Sequence, residues 1–122
     1  MNRIAVIEDN PDNRLLFRTL LEDRYEVVEY ETGFDALEGM MQQRPDLVLL
    51  DISLPGMDGT EVLKRIRADA TLRSLPVIAL TAHAMAGDRE RFLDLGFNDY
   101  VAKPILDEKD LFEAVARQLG GS

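Results

Sequence analysis

The chain has 122 residues, of which 30% are charged, and it contains no cysteine and carries a formal net charge of -9 at pH 7. This length suits a single domain with one hydrophobic core, and the lack of cysteine excludes disulfide bonds, a thiolate nucleophile and a Cys-type zinc site. The negative charge disfavours direct binding of nucleic acid, which depends on Lys and Arg contacts with phosphates, so we expect proteins or cations as partners.

The sequence predicts a cytoplasmic protein that does not enter a membrane. No apolar run is long enough to cross a bilayer, and residues 1–4 lack the apolar core of a signal peptide. A cysteine-free chain also fits a reducing compartment. We expect residues 1–119 to form one domain and residues 120–122, Gly-Gly-Ser, to form a flexible tail.

Five short aliphatic segments predict β-strands, and helical patterns lie between them. The predicted strands are residues 4–7, 25–30, 47–50, 77–80 and 100–102. Only the second alternates cleanly between apolar and polar residues, which is typical of a half-exposed edge strand. Five strands alternating with helices predict a doubly wound α/β fold with a parallel sheet covered on both faces.

The first helix is predicted to begin at Asn10-Pro11, a capping residue followed by a first-turn proline. An apolar stripe at helical spacing follows it. The other helices are predicted at 33–43, at 59 to about 70, at 87–95 with Gly96 as the C-terminal cap, and at 107–119. The stripe of the first helix consists of Leu15, Leu16, Phe17, Leu20 and Leu21.

Polar side chains follow the predicted strands, at the edge of the sheet where such folds bind ligands. Glu8 and Asp9 follow the first strand, and Asp51 follows the third. If these two strands are neighbours, the carboxylates repel one another strongly unless a cation lies between them. Oxygen ligands alone favour Mg²⁺, Mn²⁺ or Ca²⁺, and a site with few protein ligands favours Mg²⁺.

The turn after the first strand also bears on phosphate chemistry. It reads Glu8-Asp9-Asn10-Pro11 and contains no glycine, so it would reject a bare phosphate but accept one bridged by a divalent ion. Asp51 would then be the nucleophile, because an aspartate can form an acyl phosphate. Lys103 and Thr81 end the fifth and fourth strands and could contact the phosphoryl oxygens. The Lys103-Pro104 bond is a candidate for a cis peptide.

Four motifs in register resemble the receiver domain of two-component response regulators, and the resemblance covers essentially the whole chain. The first is Val6-Ile7-Glu8-Asp9-Asn10, and the last ends in Ala102-Lys103-Pro104. The motifs span residues 6–10, 45–59, 76–82 and 96–104. Each is weak alone, but together at this spacing they are highly specific.

The resemblance implies a flavodoxin-like (βα)5 fold with strand order 2-1-3-4-5. It also implies that Asp51 accepts a phosphoryl group from a phosphohistidine on a histidine kinase or a histidine phosphotransfer protein. By the same likeness, Asp9, Asp51 and the backbone carbonyl of Ser53 hold Mg²⁺ directly, while Glu8 acts through water. Mn²⁺ is an alternative ion. Glutamate at position 8 is a common variant of the family pattern.

The resemblance further implies a conformational switch. Thr81 and Lys103 match the family's hydroxyl and lysine, and Tyr100 matches its switch aromatic. Phosphorylation of Asp51 would draw Thr81 in and admit Tyr100 to the vacated space. A downstream protein would then bind the face formed by the fourth helix, fifth strand and fifth helix, including Met85, Tyr100 and Phe112 if these side chains are exposed.

Other polar and small residues near these motifs have either an open role or a structural one. His83, the only histidine, follows Thr81 by two positions and either tunes water access to the phosphoryl group or is a bystander. The remaining residues are assigned to helix starts, turns and loop geometry: Asp12, Asp35, Asp58, Gly56 and Gly59.

Three other functions fit the sequence less well than the receiver does. An Mg²⁺-dependent aspartyl phosphohydrolase would need a second carboxylate where this chain has Ser53, and a Ser-His-Asp hydrolase using Ser53 and His83 lacks the Gly-x-Ser-x-Gly turn. A constitutive interaction module would keep the fold without the switch, which the intact residue set disfavours. The domain could also come from a hybrid kinase or a larger regulator. A freestanding domain would signal by binding another protein.

Overall fold

A computed structural model of the chain describes residues 1–82, 87–105 and 107–120. The strands are β1 (Arg3–Ile7), β2 (Glu26–Tyr30), β3 (Leu47–Asp51), β4 (Val77–Thr81) and β5 (Asp99–Ala102). The helices are α1 (Pro11–Leu21), α2 (Gly33–Gln42), α3 (Gly59–Ala68), α4 (Asp88–Leu95) and α5 (Glu108–Gln118).

The five strands form one parallel sheet in the order β2-β1-β3-β4-β5. This order confirms the predicted fold, and β2 lies at an edge as its alternating pattern predicted. Ile7 of β1 is in register with Leu50 of β3, so Glu8 and Asp51 are the next positions on neighbouring strands. The sheet therefore brings the polar strand ends to one edge.

The hydrophobic core has two layers, one on each face of the sheet. Helices α2, α3 and α4 cover one face, where Met40, Ile66 and Phe92 are buried. Helices α1 and α5 cover the other, where Phe17 and Leu111 are buried. Because both faces are covered, the central strands β3 and β4 are buried along their whole length.

Short polar residues and glycines set the helix ends. The Asn10 side chain caps α1 by accepting hydrogen bonds from two backbone N–H groups, and Pro11 follows as predicted. Gly96 ends α4 with a φ of 111°, a left-handed conformation that favours glycine. The three aspartates predicted at helix starts also lie there: Asp12 and Asp35 in first turns, and Asp58 as the cap of α3.

The predicted apolar stripe of α1 was wrong in part. Phe17 and Leu21 are buried, but Leu15 and Leu16 are 62% and 39% exposed. Only positions separated by about one helical turn can face the core together, and Phe17 and Leu21 occupy that face. Helix α3 ends at Ala68, slightly before the predicted residue 70.

Some predictions concern residues outside the described part of the chain. These are His83, Met85 and the last two residues of the expected tail, 121–122. Within the described ranges, no helix is long and apolar enough to cross a membrane.

Candidate active site

Three carboxylates meet at the carboxyl ends of β1 and β3. One oxygen each from Glu8, Asp9 and Asp51 lie within 4.8 Å of one another. Glu8 is fully buried and Asp51 is 3% exposed, whereas Asp9 is half-buried. The close approach of three acidic groups with little water around them creates strong mutual repulsion.

Lys103 lies among these carboxylates. Its ammonium donates hydrogen bonds to Asp51 Oδ2 at 2.9 Å and to Glu8 Oε1 at 3.1 Å. The backbone N–H of Lys103 donates to the carbonyl of Thr81 at 2.7 Å, which fixes the residue just beyond the β4–β5 pair. The bond between Lys103 and Pro104 is cis. One positive charge thus partly compensates the acidic cluster.

The two buried carboxyl groups differ in their affinity for protons. Burial and the interaction with Asp51 raise the pKa of Glu8 to about 7. Burial also acts to raise the pKa of Asp51, but its interactions with Glu8, the Lys103 ammonium and the Ser53 N–H outweigh burial, so this pKa is lowered. Glu8 therefore holds a proton more readily than Asp51 does.

The segment after β3 helps to fix the position of Asp51. The Ser53 N–H donates to Asp51 Oδ1 at 2.9 Å. The N–H of Gly59, at the start of α3, donates to the carbonyl of Ile52 at 2.9 Å. A Cβ on Gly59 would lie only 2.3 Å from the carbonyl oxygen of Asp51, so the helix approaches this strand end closely because residue 59 is glycine. Gly56 has a φ of 80°, consistent with its predicted role in loop geometry.

The acidic cluster fits a divalent cation. Glu8 Oε2 is buried, and no donor within the described residues reaches it. A buried carboxylate oxygen without a donor is costly unless a cation or water compensates it. Carboxylate and carbonyl oxygens are the ligands that Mg²⁺ prefers, and Mg²⁺ usually keeps several water ligands as well.

Thr81 and Tyr100, the predicted switch residues, lie on the neighbouring strands β4 and β5. Thr81 is buried at the end of β4, opposite Ala102 of β5. Tyr100 is half-buried, and its ring centroid lies 5.7 Å from that of Phe92 in α4. Phe112 is half-buried too, with the Arg24 guanidinium 4.8 Å from its ring centre, so it packs toward the end of α1. Neither aromatic ring is therefore fully exposed on the predicted partner face.

Two residues that contact the site were not predicted from the sequence. Asn13 Nδ2 donates to Glu8 Oε1 at 2.5 Å. Arg14 Nη1 donates to the backbone carbonyls of Glu8 at 2.9 Å and Asp9 at 3.0 Å. The helix start at Asn10-Pro11 was the available signal, because it places positions 13 and 14 one turn into α1, beside the acidic turn.

Curated relatives are found both as short regulators and as parts of kinases. The chain is 46% identical to the polar-differentiation response regulator DivK of Brucella anthropi, and the match covers 84% of each protein. It is 44% identical to the sensor protein GacS of Pseudomonas syringae pv. syringae, where the match covers 97% of this chain but 13% of that protein. The chain thus spans only a small part of the kinase relatives.

Solved structures are also similar to this chain. The receiver domain of a sensor histidine kinase from Pseudomonas aeruginosa, described with a magnesium ion in its active site cleft, superposes with a TM-score of 0.86 and 38% identity, covering 98% of both chains. The chemotaxis protein CheY4 of Vibrio cholerae, at 24% identity and a TM-score of 0.88, shows the same fold over 98% of this chain and 99% of that one. Residues 4–116 match the family model of the response regulator receiver domain, and the chain belongs to this family of two-component signalling domains.

Proposed function

We propose that Asp51 is the phosphoacceptor of this receiver domain. The observation that carries the proposal is the contact of Lys103 with both Asp51 and Glu8, within the carboxylate cluster at the ends of β1 and β3. This arrangement favours the ionised form of Asp51, and the Lys103 ammonium lies beside the oxygen that would react. The residues of this cluster together are stronger evidence for phosphoryl transfer than any one of them alone.

In the proposed reaction, an Asp51 carboxylate oxygen attacks the phosphorus of a phosphohistidine. An O–P bond forms, the N–P bond of the donor breaks, and its electron pair stays on the imidazole nitrogen. The product is an acyl phosphate on Asp51. The Lys103 ammonium, 2.9 Å from Asp51 Oδ2, is placed to pair with the added phosphoryl oxygens.

The residues proposed to hold Mg²⁺ are Asp9, Asp51 and the carbonyl of Ser53, with Glu8 acting through water. Mn²⁺ is proposed as a substitute. When bound, the divalent ion neutralises the carboxylates and stabilises negative charge on the phosphoryl oxygens. The donor-free buried oxygen Glu8 Oε2 supports this assignment, as does the magnesium ion described for the Pseudomonas aeruginosa receiver.

After phosphorylation, the Thr81 hydroxyl is proposed to donate to a phosphoryl oxygen and Tyr100 to move toward the site. Their positions on adjacent strands support this coupling: Thr81 ends β4, and Tyr100 is paired with Ala79, two positions before Thr81. The surface formed by α4, β5 and α5 would change with Tyr100, and a downstream protein would recognise it. To shift the ratio of active to inactive conformations from 1:99 to 99:1, the phosphoryl group would have to favour the active conformation by about 5.5 kcal/mol.

The proposed phosphoryl donor is a histidine kinase or a histidine phosphotransfer protein, and the proposed location is the cytoplasm. The relatives support two contexts, since DivK is a short regulator and GacS is a much longer sensor protein. We propose that the domain, residues 1–119, catalyses only its own phosphorylation and dephosphorylation.

Phosphotransfer from a labelled histidine phosphotransfer protein tests this function. We expect label to move to the native chain in Mg²⁺, to remain on the donor in EDTA, and not to reach Asp51→Asn. Sustained release of p-nitrophenol from p-nitrophenyl phosphate, lost in Asp51→Asn, would instead indicate a phosphohydrolase. Label reaching Asp51→Asn as fast as the native chain would contradict the assignment of the phosphoacceptor.

A further inference from the structure

The two carboxylate oxygens of Glu8 have different surroundings. Oε1 accepts hydrogen bonds from Asn13 Nδ2 at 2.5 Å and from Lys103 Nζ at 3.1 Å. Oε2 is buried, and no donor of the described residues reaches it. Within the described residues, both hydrogen-bond donors to the Glu8 side chain therefore contact Oε1, and none contacts Oε2.

Asn13 is held firmly at the start of α1. Asn10 Oδ1 accepts hydrogen bonds from the backbone N–H groups of Asp12 at 2.8 Å and Asn13 at 3.2 Å, so the helix begins at Pro11. Side chains on a helix lean toward its N-terminus. The Asn13 amide is therefore directed back toward the acidic turn, where it reaches Glu8.

Lys103 alone is a poor means of holding Glu8. Its ammonium is shared with Asp51, at 2.9 Å, and the proposed function assigns it to the phosphoryl group after transfer. A neutral amide has no such second task. Asn13 can keep its contact with Oε1 in both states, and an amide donor does not repel a nearby divalent cation as a second ammonium would.

We propose that Asn13 is a positioning residue for the metal site: it holds Glu8 Oε1 so that Oε2 is left for the divalent cation or its bound water. This inference rests on the proposed function. Residues that orient a metal-binding carboxylate by a hydrogen bond typically change metal affinity by about tenfold or more when they are removed.

Calorimetric titration with Mg²⁺ alone tests the role of Asn13. Asn13→Ala is expected to bind Mg²⁺ about tenfold more weakly than the native chain. Asn13→Gln keeps an amide donor on a longer side chain and should recover part of the loss. Thr19→Ala, an exposed change on the same helix, is the control and should leave the affinity unchanged.

A double-mutant cycle shows whether Asn13 acts through Glu8. In the Glu8→Ala background, Asn13→Ala should no longer weaken Mg²⁺ binding, whereas general damage to α1 would weaken it by the same factor as in the native background. A native chain that binds Mg²⁺ no more tightly than Asn13→Ala overturns the inference and leaves the proposed function intact. A native chain that binds no Mg²⁺ overturns both.

Discussion

The ammonium of Lys103 lies 2.9 Å from Asp51 Oδ2, although 52 positions separate the two residues in the chain. Strand pairing accounts for this approach, because β3, β4 and β5 are adjacent and end at the same edge of the sheet. The contact pairs the proposed nucleophile with a positive charge. The same charge could pair with the phosphoryl oxygens after transfer.

Replacing Lys103 should separate phosphorylation from metal binding. Lys103→Ala removes the charge proposed to pair with the phosphoryl oxygens, so we expect phosphorylation by acetyl phosphate to slow on the order of 100-fold. Mg²⁺ should bind at least as tightly as to the native chain, because a competing cation has been removed. Rates from mass spectrometry and affinities from calorimetry measure the two effects. An unchanged phosphorylation rate would contradict the assigned role.

Gly59 should be required for the geometry of Asp51. In Gly59→Ala the new Cβ would meet backbone atoms, 2.3 Å from the carbonyl oxygen of Asp51 and 2.7 Å from the Cα of Ile52. These atoms cannot rotate away, so we expect a loss of about 1 to 3 kcal/mol in unfolding free energy and slower phosphorylation. Denaturation and phosphorylation assays measure the two losses. Lys64→Ala, on the exposed side of the same helix, should change neither quantity appreciably.

Glu8 should make the metal-free protein less stable as the pH rises. Its pKa is about 7 in the folded chain, against an ordinary value of 4.5, mainly because of burial. Across this interval the folded state keeps a proton that the unfolded state releases, so the free energy of unfolding falls with increasing pH. Glu8→Gln removes this titration and should be the more stable protein at pH 7.

Denaturant unfolding in EDTA, between pH 4.5 and about 7, measures this effect. The native chain should lose stability across the range and Glu8→Gln should lose less. Parallel pH profiles for the two proteins would show that Glu8 does not titrate in this interval.

Arg67 should stabilise the junction between α3, the following loop and the end of α4. Its guanidinium donates to four acceptors at 2.7–3.1 Å: the carbonyls of Arg73, Leu75 and Gly96, and Asn98 Oδ1. Lysine cannot reproduce this planar set of donors, so Arg67→Lys should lower the free energy of unfolding by about 2 to 3 kcal/mol.

Arg65 provides a matched control for Arg67. It is exposed on the same helix and pairs only loosely with Glu61, at 3.8 Å. Arg65→Lys should therefore change the stability by less than about 1 kcal/mol. Equal losses in the two variants would mean that the hydrogen bonds of Arg67 contribute little.

Features that depend on local patterns were predictable from the sequence. The aliphatic runs ending in Glu8 and Asp51, and the cap at Asn10-Pro11, have local causes and were found where expected. The exposure of Leu15 and Leu16 was not, because a helix with apolar residues on several sides does not show which side meets the sheet.

Contacts between distant elements could not be predicted in the same way. The Arg67 bonds to Gly96 join residues 29 positions apart, and they exist only once the end of α4 has packed near α3. The Asn13 contact with Glu8 is closer in sequence, but it depends on the angle at which α1 leaves β1. An asparagine near a helix start is so common that the residue type alone does not indicate this role.

Intact mass spectrometry after incubation with acetyl phosphate and Mg²⁺ shows directly whether Asp51 is phosphorylated. We predict that the native chain gains one phosphoryl group, that the gain requires Mg²⁺ and reverses on standing, and that Asp51→Asn does not show it. A native chain that stays unmodified with both acetyl phosphate and a phosphohistidine donor, or an Asp51→Asn variant that gains the same mass, would contradict the proposal that Asp51 is the phosphoacceptor.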